Sequence, residues 1–210
     1  MDLRRAAALA LAAACWAAPA AAADDCEILP PQVRERAVYA GFSAKRMCEA
    51  GLKPLWQGLP DGAGQVMRFT FTSGHDLFWR SVTITARPDG SGYLEVVGGG
   101  FVRRDIRSPW VDLKPKRRRL SRKSMAALNT LAEQSGTFDY EVGTWHAGDP
   151  PDTLYVHCQT LELERADAAG YRFSAVNIGC KRPEKLMPLV DEVIRLGGIG
   201  MVRGNWSAYQ

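Results

Sequence analysis

Long apolar runs are missing from this 210-residue chain: the longest, Ala6 to Ala18, covers thirteen residues. A membrane-spanning helix needs about 20, so no retained span is expected. Histidine is scarce, with three in the chain (His75, His146 and His157), which leaves few places for imidazole catalysis or metal binding. No Gly-x-Ser-x-Gly elbow occurs, and the commonest serine-hydrolase template is therefore excluded. Gly98-Gly99-Gly100 runs into Phe101-Val102-Arg103-Arg104 without a helix opening or a Gly-Lys-Ser/Thr, so it does not cradle a phosphate. Internal repeats and long linkers are absent too. What remains is 46% apolar and 24% charged, the composition of a globular protein and not of a disordered, collagenous or coiled-coil one.

The first residues set the compartment. Arg4 and Arg5, the short apolar run and the small residues Ala20 to Ala23 follow one another in the order of a secretory signal, with cleavage expected near Ala23. Cys15 follows Ala12-Ala13-Ala14, but Leu11 stands one place too early for a lipoprotein acceptor. The expected organisation is a signal peptide over 1–23, one exported domain over 24–198 and a tail over 199–210. Cleavage lowers the formal net charge from +4 to +3 and leaves Cys26, Cys48, Cys158 and Cys180. An even number of cysteines in an exported chain predicts two disulfides, with three connectivities open. Two strands turning at Asp167 to Gly170 set Cys158 opposite about residue 178, within bridging range of Cys180. Cys26 with Cys48 then follows, on a condition: one straight helix from Pro31 to Cys48 would be about 25 Å long. The five steps from Cys26 to Pro31 reach at most about 17 Å. Gly41 supplies a break, with Ser43 as cap of a second short helix ending at Gly51.

Beyond Gly51 the period changes. Gln65 to Thr72 and Leu77 to Arg87 are rich in β-branched and aromatic residues and read as strands, followed by a third over Gly92 to Val97 that Gly98 to Gly100 ends. Phe101 to Leu113 reads as irregular or weakly extended. From Ser121 the apolar spacing is helical, through Met125, Leu128, Leu131 and Ala132, and Gly136 stops it. A strand over Phe138 to Trp145, a proline-stiffened loop over 146–152 and a hairpin of Leu154 to Glu164 with Tyr171 to Ile178 follow. A last helix starts near Leu186, because Pro188 is tolerated only in a first turn, and ends at Gly197-Gly198. Strands do not alternate with helices, so the spacing predicts an α+β fold with an antiparallel sheet of five or six strands and helices on one side.

Among residues 103 to 123 ten Lys or Arg (Arg103, Arg104, Arg107, Lys114, Lys116, Arg117, Arg118, Arg119, Arg122 and Lys123) meet Asp105 and Asp112, a local charge of +8. Such asymmetry suits an anionic partner such as an acidic protein face or an anionic envelope polymer. Export and the lack of aromatic residues within Lys116 to Lys123 argue against nucleic acid. The plainer reading of the run is a solvated loop leading into the helix at Ser121. His157 and Cys158 are strand neighbours facing opposite ways and cannot form a thiolate–base pair. His146, Asp149, Asp152 and His157 match no metal-ligand spacing, and Ser73, His75 and Asp76 lie too close in sequence for a triad. Glu162 and Glu164 share a strand face, as a carboxylate pair for glycoside chemistry would, with Asp139 and Glu141 near in sequence. No catalytic residue, metal site or cofactor is assigned.

Taken in order, Arg68-Phe69-Thr70-Phe71, a strand holding Arg80 to Ala86, the glycines at 98 to 100, the Leu120-Ser121 helix opening and a late Cys resemble a family of small exported proteobacterial proteins and lipoproteins of unknown function. The resemblance covers roughly Gln65 to Cys180 and departs at Phe138-Asp139-Tyr140, where an aromatic, proline-containing phrase is more typical. It implies an exported single domain and carries over no activity. The function expected from the residues is a non-enzymatic periplasmic binding protein, for example of inhibitor or immunity type, whose site is Arg103, Arg104, Lys116 to Arg119, Arg122 and Lys123. The alternative is an envelope hydrolase with its site near 146–157.

Overall fold

The computed structural model describes residues 26–36, 40–73, 77–102, 105–136, 144–145, 158–179 and 183–199. The expected signal peptide, Arg103, Arg104, all three histidines, Cys180 and the tail beyond Ile199 lie outside the described residues. Helices α1 (Pro31–Arg36) and α2 (Ala40–Glu49) precede strands β1 (Gln65–Thr72), β2 (Phe78–Ala86), β3 (Gly92–Phe101), β4 (Trp110–Asp112) and β5 (Lys116–Leu120). Helix α3 (Arg122–Ser135), strands β6 (Thr144–Trp145), β7 (Thr160–Asp167) and β8 (Gly170–Asn177), and helix α4 (Met187–Gly197) complete the chain.

The fold is α+β, as the spacing predicts, and its sheet runs β4-β3-β2-β1-β7-β8-β6. Five long strands pair antiparallel, β3 through β8, with Arg68 of β1 opposite Thr83 on one side and Glu164 on the other. β4 and β5 lie end to end along the outer edge of β3, pairing Gly99 to Phe101 and Gly92 to Val96 respectively. The two-residue β6 is the exception in direction, parallel to β8.

The sequence-based reading stops the third strand at Gly98, whereas β3 continues through the glycines to Phe101. A Cβ on Gly98 would stand 2.7 Å from Arg80 Cδ, and one on Gly99 would stand 2.7 Å from Trp110 Nε1. The glycines therefore let side chains cross the strand closely, and no turn is made. The basic run expected as a loop is strand β5, and within the segment read as irregular or weakly extended, Trp110–Asp112 is strand β4.

One face of the sheet carries Phe69, Phe71, Val82, Leu94 and Leu163, which pack under α3 and α4 through Met125, Leu128, Leu189 and Val193. The helix boundaries follow the sequence signals: Ser121 caps α3 by accepting the Ser124 amide, Gly136 closes it at φ 63°, and Gly198 closes α4 at φ 57°. The opposite face is also covered, in contrast to the expectation of helices on one side. Ile28, Leu29, Val33 and Met47, from α1, α2 and the segment before them, pack there on Trp79, Phe173 and Ala175. β1 is accordingly buried on both faces, at Val66, Arg68 and Thr70 as well as at Met67, Phe69 and Phe71.

Cys26 and Cys48 form a disulfide with Cα atoms 5.9 Å apart, tying α2 to the start of the domain. Helix α2 already includes Gly41, expected as the helix break, and Ser43 is a buried residue of that helix and not its cap. Cys158 is disulfide-bonded as well, while its expected partner Cys180 lies outside the described residues. In the hairpin Thr160 faces Asn177, one step from the expected register, and beyond the paired strands the amides of Ile178 and Gly179 both donate to the Gln159 carbonyl.

Candidate functional site

Strand β5 holds the centre of the basic run at the sheet edge, with Lys116, Arg117, Arg118 and Arg119 exposed and Leu120 buried. Because successive side chains alternate, the cations divide between faces. Arg117 and Arg119 stand beside Glu95 and Tyr93 on the α2 face; Lys116 and Arg118 stand beside Val96 and Leu94 on the other. Arg117 Nε lies 3.4 Å from Glu95 Oε1, and its guanidinium carbon lies 4.1 Å from the Tyr93 ring centre. Both partners of that pair are well exposed, so it adds little to stability. Arg118 Nη1 donates to the Leu196 carbonyl at 3.4 Å, at the C-terminal end of α4 where the helix dipole favours a cation. Arg122 and Lys123 open α3 and are exposed. The Asp89 carboxyl is held below its ordinary range chiefly by hydrogen bonds from Ser91, with a weaker pull from Arg122.

The structure thus brings Lys116 to Arg119, Arg122 and Lys123 to one sheet edge. Among the described residues no further strand pairs with the outer side of β5. Cationic side chains on an edge strand discourage unselective strand addition, and the same row presents charge on both faces to a partner that approaches the edge.

A second cluster sits inside. Arg68 and Glu164, each 2% exposed, pair across β1 and β7 at 3.0 Å. Arg68 also donates to the Lys53 carbonyl at 2.5 Å, and Tyr171 donates its hydroxyl hydrogen to Glu164 Oε1 at 3.1 Å. Two residues along β7, Glu162 faces α2, where Ser43 Oγ lies 2.6 and 2.7 Å from its two oxygens. A hydroxyl has one proton, so it cannot donate to both oxygens. Burial pushes the Glu162 carboxyl up to about 8, against the Ser43 hydrogen bond and with a contribution from Glu164. At neutral pH the acid is therefore protonated, and its own O–H donates to Ser43 in one of the two contacts. Burial raises the Glu164 carboxyl too, with Arg68 opposing, and it raises the Tyr171 phenol. The Arg68 Nε is buried with no hydrogen-bond partner among the described residues.

The two carboxylates share a face, as their spacing requires, but they lie beneath α2 with 3% and 2% exposure. No sugar can reach them, and the glycosidase arrangement is excluded. Ser73 accepts the Leu77 amide at 2.7 Å and serves the turn after β1. His75, Asp76, Asp139, Glu141, His146, Asp149, Asp152 and His157 lie outside the described residues, as does the proposed hydrolase region. Among the described residues no three His, Cys, Asp or Glu side chains converge as metal ligands would, and no helix is long and apolar enough to cross a membrane.

A groove of about 450 Å³ adjoins β5, between the β2–β4 end of the sheet and the end of α4. Phe78, Arg80 and Val96 line its sheet side, and Val102, Val111 and Leu113 line its outer wall. Sequence reasoning missed this groove. Its signal was present as four apolar residues, Val102, Ile106, Val111 and Leu113, spaced through a basic segment. No protein-family model matches the chain, and a search of curated proteins finds no significant relative.

Proposed function

We propose that the chain is an exported, non-catalytic binding protein that recognises an anionic partner of the cell envelope through β5 and the start of α3. The supporting observation is the row Lys116 to Arg119, four consecutive exposed cations on a rigid edge strand. A strand backbone holds such charges at fixed spacing, which a solvated loop does not, and ordered cations steer and orient an anionic surface. The Cys26–Cys48 disulfide supports residence in an oxidising compartment. The Glu162 and Glu164 carboxyls, both raised by burial, are sealed in the interior, and the partly buried Tyr171 gives its hydroxyl hydrogen to Glu164.

The test is capture from envelope extract by the disulfide-intact mature protein, washed at low and high salt. A stoichiometric partner released by salt, and lost with Arg117→Glu, Arg118→Glu and Arg119→Glu combined, supports the reading. Capture that the triple reversal leaves unchanged overturns it.

A further inference from the structure

The large apolar side chains that remain exposed among the described residues are Val102, Ile106, Val111 and Leu113, at 63%, 69%, 49% and 40%. All four fall within twelve residues of sequence, and Val102, Val111 and Leu113 form one wall of the same groove. Scattered exposed aliphatics are ordinary, but a single cluster beside a concavity marks a binding surface. Its volume of about 450 Å³ falls in the usual range of small-molecule sites, roughly 300–1,000 Å³.

The polar groups are arranged asymmetrically. Arg80, Lys114 and Lys116 border the groove, and no Asp or Glu is among its described lining residues. Arg80 is held by the carbonyl oxygens of Trp79 and Gly99, so its charge is fixed at the sheet side of the groove. Lys114 and Lys116 are exposed at the rim. An apolar wall facing the cations Arg80, Lys114 and Lys116 complements a molecule with an apolar tail and an anionic head. An acidic peptide or a polysaccharide would leave the aliphatic wall in water.

We infer that this groove binds the acyl chain of a phosphate-headed envelope lipid, with the head against Lys114 and Lys116. The inference rests on the anionic partner proposed above and names its chemical class. The tail fills the space between Val111, Leu113 and Val96, and the phosphate accepts hydrogen bonds from the lysine ammonium groups. Removing one methylene from water changes affinity about fourfold, so tail length dominates until the groove is full.

Calorimetric titration of the full mature chain with alkyl phosphates, below the concentration at which they form micelles, tests this. One saturable site is expected, with affinity rising about fourfold per methylene from octyl to decyl phosphate. Inorganic phosphate alone should not bind measurably, and the neutral-headed dodecyl maltoside should bind at least tenfold more weakly than dodecyl phosphate. Leu113→Glu and, separately, Val111→Glu should each weaken dodecyl phosphate at least tenfold; both residues are exposed, and circular dichroism verifies that each variant is folded.

Absence of binding, equal affinity for charged and neutral heads, or binding that survives both wall substitutions overturns the inference. So does self-association through the wall, seen as concentration-dependent sedimentation that Val111→Glu abolishes and dodecyl phosphate does not affect. If the alkyl phosphates fail while salt-sensitive capture through β5 persists, the groove inference alone falls. If capture fails as well, the anionic-partner reading falls with it.

Discussion

Replacing Glu162 by Gln should make the protein more stable in alkali and nearly unchanged in acid. Glu162 is 3% exposed and faces Ser43 across the interface between β7 and α2. Its carboxyl moves from the ordinary value of 4.5 to about 8 because burial penalises the charged form. The folded protein therefore holds this proton more tightly than the unfolded chain does. The stability from this group is complete below pH 4.5, and it is lost as pH rises from there to about 8. Each pH unit across that interval costs about 1.4 kcal/mol, on the order of 5 kcal/mol in all. A glutamine keeps the shape, donates an N–H to Ser43 Oγ and cannot ionise. Glu164, also raised by burial, is common to both proteins, so to first order their difference isolates Glu162. Urea unfolding with the disulfides intact, followed by fluorescence of buried Trp79, should give stabilities within about 1 kcal/mol of each other at pH 4.5. At pH 9 the variant should be more stable by several kcal/mol. Equal stability at both pH values, or a variant less stable at pH 9, would refute the protonated Glu162–Ser43 pair.

The Arg68–Glu164 pair should show the asymmetry of buried ions. Arg68→Met leaves Glu164 buried without its counter-charge and should cost about 3–5 kcal/mol in the same unfolding assay, whereas Arg68→Met with Glu164→Leu should recover most of that loss. Serine at both Cys26 and Cys48 should lower stability by about 2–4 kcal/mol, measured by urea unfolding against the disulfide-intact parent. Ser121→Ala removes the hydrogen bond that Ser121 accepts at the start of α3 and should cost about 1 kcal/mol, read as a small fall in melting temperature.

Much of the scaffold was legible because period and punctuation agreed. β1 and β2 are β-branched and aromatic, Ser121 and Gly136 bracket α3, and Pro188 marks the first turn of α4. The Cys26–Cys48 bond followed by default once Cys158 was paired with Cys180, and Gly41, read as the helix break that its chain reach demands, lies within α2. Reading failed where tertiary pairing overrides local preference. Lys-Arg-Arg-Arg has no strand signature and is extended because β3 offers it a ladder. Three glycines look like a stop, yet β3 needs them where Arg80 and Trp110 cross the strand. The second covered face was not foreseen because Arg68, Thr70, Glu162 and Glu164 look like solvent-facing residues. They are buried because each finds a partner, Arg68 with Glu164, Glu162 with Ser43 and Thr70 with Ser81, while Tyr171 donates to Glu164, a fact that spacing along one strand does not contain. For the candidate site, the basic residues were identified from charge alone. Their division between the two sides of an edge strand, and the groove beside Lys116, required the register of β5 against β3.

The most direct measurement compares envelope capture by the parent protein and by the Arg117→Glu, Arg118→Glu, Arg119→Glu variant over a salt series, with circular dichroism verifying that both are folded. A single stoichiometric partner, retained at low salt, released as screening increases and absent with the variant, is the outcome expected of a cationic edge-strand site. Capture that is insensitive to salt and equal for the two proteins would show that β5 is not the recognition surface.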